Sequence, residues 1–184
     1  MGNHARMERK YHLWFSWQYE QEERWINEMS RQGLHWKRGG VIRSEFERDA
    51  SVRYTYRLDY QLGLGKEKLQ EYLELYRDAG WEFAGNCTQA WYYFRREWRP
   101  DEDPQLYTDR ESLVAHYMRL RRMITVMLLL NLIIMCLNGI GLLPRANGHL
   151  WGIYVPVLAI YALLFLLLGI GIVQINRKLK TISS

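Results

Sequence analysis

Trp25-Ile-Asn-Glu-Met-Ser-Arg-Gln-Gly-Leu-His-Trp36 and, 47 residues further on, Tyr72-Leu-Glu-Leu-Tyr-Arg-Asp-Ala-Gly-Trp-Glu-Phe83 share one pattern. In each, three apolar side chains at i, i+1 and i+4 mark one face of a helix (Trp25, Ile26, Met29; Tyr72, Leu73, Tyr76). A glycine then supplies the left-handed cap that ends it (Gly33, Gly80), and an apolar–polar–aromatic triplet restarts an extended chain. A single offset relates six positions, which favours an internal duplication.

Outward from these segments, Tyr11–Trp17 is rich in aromatics and reads as a strand. The acidic stretch Glu20–Glu23 opens the first helix, where negative charge suits the helix dipole. Val52–Tyr60 alternates Arg53, Thr55, Arg57 and Asp59 with Tyr54, Tyr56, Leu58 and Tyr60, as a half-buried strand does. Lys66–Ala79 is the second helix, and Trp81–Ala84 with Ala90–Trp98 forms a closing hairpin. The expected class is α+β, in the order β-α-β-β-α-β: a ferredoxin-like plan with two helices on one face of an antiparallel sheet, over residues 1–99.

The remainder divides by composition. Residues 100–108 form an acidic, proline-bracketed linker, and Thr108-Asp-Arg-Glu111 has a capping-box pattern that opens a juxtamembrane helix over 109–122. No Pro or Gly interrupts the chain from there to Leu137, so this helix either continues unbroken into the first apolar run or breaks near Arg122, where the basic residues lie. Met123–Leu143 and Leu150–Ile175 contain no Asp, Glu, Lys or Arg, and each exceeds the roughly 20 helical residues that cross a bilayer. With a turn at 144–149 between them and a tail at 176–184, they read as a transmembrane hairpin.

Charge gives the orientation. From Arg119 onward there are seven basic residues and no acidic ones; only Arg145 lies in the turn, while Arg119, Arg121, Arg122, Arg177, Lys178 and Lys180 flank the outer ends. By the positive-inside rule both termini are cytoplasmic. Residues 1–118 hold 18 basic and 20 acidic side chains, so the overall charge of +5 reports topology and argues against a nucleic-acid partner. The polar N-terminal stretch has no secretory pattern, and the hairpin is expected to do the targeting. Cys87 and Cys136 have no spacing that suggests a bridge or a metal, and a reducing compartment is expected.

Trp25-Ile-Asn-Glu-Met with Gly33, Tyr56-Arg-Leu-Asp59, Trp91-Tyr-Tyr-Phe-Arg-Arg96, and Leu106-Tyr-Thr-Asp with Ala115-His-Tyr117 together resemble the bacterial domain-of-unknown-function 2812 family, over about residues 9–120. The resemblance implies a bacterial cell-membrane protein that pairs this domain with C-terminal spans. It also implies a genetic neighbourhood that often includes a PadR-type transcriptional regulator. It brings no activity and no catalytic residues.

The residues themselves offer little chemistry. Five histidines never fall at ligand spacing with Cys, Asp or Glu, so no metal and no cofactor is expected. Gly63-Leu-Gly65 lacks the lysine and serine of a phosphate loop and reads as a turn. Glu22 with Glu23 reads as an exposed helix start, without surroundings that would raise a carboxyl pKa. The expectation is that the chain is not an enzyme.

Aromatic excess is the stronger signal. Residues before the spans hold 22 Trp, Tyr and Phe, more than a core of this size hides. Alternation puts Tyr11, Leu13, Phe15 and Trp17 on the face of Tyr54, Tyr56 and Leu58. The opposite, open face would carry His12, Trp14, Arg53, Thr55 and Arg57 with Trp91 and Tyr93, or with Tyr92 and Phe94. Trp14, Arg53, Arg57, Trp91 and Tyr93 are thus the candidate binding residues, on a face that either docks a partner or is covered by the linker, the juxtamembrane helix or a second copy. In the first span, Asn131 and Asn138 lie seven residues apart on nearly one face, as helix-bridging side chains do.

The expected function is therefore a membrane-anchored cytoplasmic binding or sensory accessory module. Its partners would be the lipid bilayer, a protein or an amphipathic small molecule, and a second copy of the chain. The family resemblance links it to transcriptional regulation of a stress or drug response. The alternative is a structural subunit of a transporter-type membrane complex.

Overall fold

The computed structural model describes residues 7–102, 104–107, 109–142 and 151–183. It divides into two units, Met1–Ser112 and Leu113–Ser184. The expected outer turn at 144–149 lies outside the described residues, as do Asp103 and Thr108 of the expected linker.

The first unit runs β1 (Met7–Tyr11), α1 (Tyr19–Arg31), β2 (Leu34–Arg38), β3 (Arg43–Arg48), β4 (Tyr54–Tyr60), α2 (Lys66–Asp78), β5 (Glu82–Cys87) and β6 (Trp91–Glu97). The offset of 47 carries α1 onto α2 residue for residue, and both capping glycines take positive φ, 72° at Gly33 and 81° at Gly80. The chain is thus two consecutive β-α-β-β units. Each forms a three-stranded antiparallel sheet with its last strand in the centre, in the orders β1-β3-β2 and β4-β6-β5.

This corrects the expectation of one ferredoxin-like sheet. The strand absent from that plan is β3, Arg-Ser-Glu-Phe-Glu-Arg, which buries only Ser44 and Phe46. It completes the first sheet within its own half, so neither half needs to share a sheet with the other. The Tyr11–Trp17 strand is also corrected. β1 ends at Tyr11, and the chain closes a short 3-10 turn at Ser16–Gln18, where the Gln18 amide donates to the Phe15 carbonyl (2.7 Å) and its side chain accepts from the Phe15 amide (3.2 Å).

The halves are joined by side chains. β4 is an edge strand of its sheet, and α1 of the other half covers that edge. The amides of Tyr54, Tyr56 and Leu58 donate to Ser30 Oγ (2.8 Å), Asn27 Oδ1 (2.7 Å) and Glu23 Oε1 (2.7 Å), and Asn27 Nδ2 donates to the Tyr56 carbonyl (3.1 Å). Alternate residues of a strand repeat about every 6.7 Å and one helical turn rises about 5.4 Å, near enough for the side chains at 23, 27 and 30 to reach 58, 56 and 54 in the opposite sense. Helical side chains thereby stand in for a missing neighbour strand. Elsewhere Trp36, fully buried, stacks on Tyr93 with centroids 4.1 Å apart. Its indole passes so close to Gly85, at φ 149°, that a Cβ there would lie 2.8 Å from the ring.

Behind the second sheet, Tyr76, Trp81, Tyr92 and Phe94 form a core joined by Leu106. Asp59, fully buried, accepts hydroxyls from Tyr72 (2.7 Å), Tyr76 (3.2 Å) and Tyr107. Asp59 and Tyr107 come from two of the motifs that carry the family resemblance. Their bond ties the segment after β6 onto the sheet.

The helix α3 (Arg110–Leu142) is continuous through Arg122, and at its start Asp109 Oδ1 accepts the Ser112 amide (2.7 Å). α3 and α4 (Trp151–Ser183) are long and apolar enough to cross a bilayer. Asn138 Nδ2 donates to the Tyr161 hydroxyl on α4 (2.8 Å), whereas Asn131 Nδ2 donates to the carbonyl of Met127 in its own helix (2.9 Å).

Candidate functional site

The ladder register decides which candidate residues meet. Leu58 pairs with Tyr93 and Tyr60 with Trp91, so Trp91 and Tyr93 share the face of Leu58 and Tyr60; Arg57 pairs with Phe94 and takes the other face. Of the two expected groupings, the register therefore sets Arg57 with Tyr92 and Phe94, both buried, and separates it from Trp91 and Tyr93, so the candidate residues fall in two places.

The first is a pocket of about 170 Å³ that holds Trp14, Trp91 and Tyr93. Both halves build it. The irregular stretch after β1 supplies His12, Trp14 and Phe15; α1 supplies Tyr19 and Glu22; the β2–β3 turn supplies Val41; and the β5–β6 hairpin supplies Cys87, Trp91 and Tyr93. Tyr19 stacks on Trp91 (5.6 Å), which Tyr60 also meets (5.3 Å). The Tyr93 hydroxyl donates to Glu22 Oε1 (2.7 Å). His12 is positioned by Ser44 Oγ on its Nε2 (2.9 Å) and by Trp25 against its ring (4.8 Å). The hairpin turn places Thr88 and Gln89 at φ 54° and 55°, an uncommon setting for the β-branched Thr88, which lies on the pocket lining.

Two buried polar atoms here, Trp14 Nε1 and His12 Nδ1, have no hydrogen-bond partner among the described residues. A buried donor left unmatched costs about 1–3 kcal/mol, so these two atoms call for a partner that the described residues do not supply. Burial raises the Glu22 pKa against the lowering effect of the Tyr93 bond, lowers that of His12, and, helped by the Glu22 charge, raises that of Cys87. Tyr93 is held well above its usual range by burial and then by Glu22. The reading of Glu22 and Glu23 as an ordinary exposed helix start is corrected accordingly, since both are partly buried and both titrate high.

Arg53 and Arg57 line a different cleft, of about 470 Å³, with Glu20, Glu23, Trp98 and Glu102. The Arg53 guanidinium lies 3.9 Å from the Trp98 ring centroid, and Arg57 Nη1 donates to the Tyr56 carbonyl (3.0 Å). Burial pushes Glu23 up to about 7, with Arg57 and the Leu58 amide acting the other way. Acids balance bases along this lining, so it has neither the charge excess nor the enclosure of a built anion site.

Sequence reasoning does not single out Tyr19, Glu22, Val41 or Cys87 as site residues. No local pattern marks them, because each joins the pocket only through contacts across the repeat. A family model described as a protein of unknown function, DUF2812, matches residues 18–129 of the chain. No curated protein and no solved structure matches it.

Proposed function

The chain belongs to the family of proteins of unknown function 2812, and on that premise we propose that it is a membrane-anchored cytoplasmic binding module whose pocket takes a small amphipathic molecule. The observation that carries this is the pocket of Trp14, Trp91 and Tyr93, walled by rings from both halves and holding two unmatched buried polar atoms. Small-molecule sites have this composition: an aromatic lining with a few placed polar groups.

Two apolar helices flanked by basic residues at their outer ends support an integral location with both termini cytoplasmic. The pocket would then sample molecules that partition into the inner leaflet. Its output is a change in the contacts of the module with a transcriptional regulator of the PadR type, in line with the family resemblance.

The test is a ligand-observed NMR screen of ring-containing fragments on the full chain in nanodiscs, repeated with Trp14→Ala and Trp91→Ala. Fragments that compete with one another and are lost in both folded variants are expected. An identical set of bound fragments for wild type and variants would overturn the assignment.

A further inference from the structure

The pocket also carries information about the charge of its guest. Among the described residues its lining has one acidic side chain, Glu22, and no lysine or arginine. The Glu22 carboxyl is fixed by the Tyr93 hydroxyl at 2.7 Å, so it does not swing away to water. The same lining includes Trp14, Phe15, Tyr19 and Trp91, and aromatic rings attract a cation through the negative potential of their faces. Size sets a further limit, since a cavity of roughly 150 Å³ accepts a benzene ring. The 170 Å³ here therefore suits one substituted ring.

We infer that this pocket selects a small lipophilic cation, a ring or compact apolar body bearing an amine or quaternary ammonium group, with Glu22 as its counter-charge and the surrounding rings as its cage. The inference rests on the pocket being a binding site at all, and adds the class of ligand. The aromatic walls hold the apolar body while the ammonium lies toward Glu22. A cation bearing an acceptor group also meets Trp14 Nε1, which the fold leaves unmatched. An anion of the same size meets Glu22 and the ring faces, both repulsive.

Proton linkage gives an independent signature. Burial favours the protonated carboxyl of Glu22 in the empty pocket, and a bound cation favours the carboxylate, so binding releases a proton and strengthens as pH rises. The other titratable groups that face Glu22 are His12, Cys87 and Tyr93 in the pocket, with Glu20 and Glu23 on its own helix. Protonation of His12 at low pH would oppose a cation, which is the same direction of effect. Cys87 and Tyr93, both held high, stay neutral through this range.

The experiment titrates the full chain in phosphatidylcholine nanodiscs with phenyltrimethylammonium, its uncharged isostere tert-butylbenzene, and benzenesulfonate. Empty nanodiscs supply the partition baseline. The cation is expected to bind at least about tenfold more tightly than either comparison. Its affinity should rise as pH rises above the ordinary carboxylate range, and fall about tenfold in Glu22→Gln, a variant that keeps an acceptor for the Tyr93 hydroxyl. Trp14→Phe, which removes the donor and keeps a ring, should retain the pH dependence. Equal binding of cation and isostere, or a Glu22→Gln variant that binds like wild type, overturns the cation assignment while leaving the pocket as a site for neutral rings. Binding of none of the three overturns the cation assignment, and the fragment screen then decides the fate of the pocket.

Discussion

Asn27→Ala removes the middle rung of the side-chain ladder along β4, and its cost is set by where that rung lies. Asn27 both accepts from the Tyr56 amide (2.7 Å) and donates to the Tyr56 carbonyl (3.1 Å). Tyr56 is fully buried, and both bonds lie at the inner edge of the cleft that Asn27 lines. Two lost bonds at about 1 kcal/mol each, with part of the penalty for an unmatched buried amide, come to about 2–4 kcal/mol. For a unit of this size that is a fall in Tm of about 10–20 °C. Urea and thermal unfolding of the full chain in detergent, monitored by tryptophan emission, measure both quantities. The variant should also associate more readily, because an edge strand stripped of its cover offers free backbone groups to another chain. Asn27→Asp keeps the acceptor and loses the donor, and should fall between the variant and wild type. A loss below about 0.5 kcal/mol for Asn27→Ala, the range of an ordinary surface substitution, would refute the idea that α1 completes the second sheet.

Three further outcomes are set by the geometry. Glu23 ionises near 7 in the folded chain against an ordinary 4.5, so its favourable contribution is complete below about pH 4.5 and is lost as pH rises through 7; Glu23→Gln should match wild type in acid and exceed it by about 1–3 kcal/mol at pH 8, read from urea midpoints across pH. Gly85→Ala puts a Cβ 2.8 Å from the Trp36 ring at a φ that disfavours a side chain, and should destabilise by about 1–3 kcal/mol and shift the emission of the chain as Trp36 moves off Tyr93. Tyr107→Phe removes one hydroxyl from Asp59, and should cost about 1–3 kcal/mol and speed hydrogen exchange in the segment after β6, with Tyr72 and Tyr76 still in place.

The duplication is legible in the sequence because it rests on local grammar: a helical stripe, a glycine in the left-handed region and a restart, repeated at one offset. The helix bounds come from the same cues. β3 is not legible, because a central strand that carries Glu45 and Glu47 looks like a loop when read alone. Its charges are answered on the neighbouring strands, where Arg9 meets Glu45 (3.3 Å) and Lys37 meets Glu47 (2.5 Å). The same missing strand is why one sheet is expected where two form. Alternation names Trp14, Trp91 and Tyr93 as companions, and the pocket joins them. It leaves open whether Arg53 and Arg57 go with Trp91 and Tyr93 or with Tyr92 and Phe94, because strand parity between β4 and β6 is a matter of register, which neither strand specifies by itself; the register pairs Arg57 with Phe94. Glu22 escapes a sequence reading for a related reason: its burial comes from the hairpin of the other repeat, 65 or more residues away along the chain.

The most direct test of a binding module is made in the cell. Val41 stands on the rim of the pocket and is 62% exposed, so a photo-crosslinking amino acid there need not displace the pocket walls. With the full-length chain expressed in its native membrane, irradiation and intact-mass spectrometry should show a discrete low-mass adduct that disappears in the Trp14→Ala background. A chain that stays unmodified, or that crosslinks only to itself, would contradict the claim that this pocket holds a ligand.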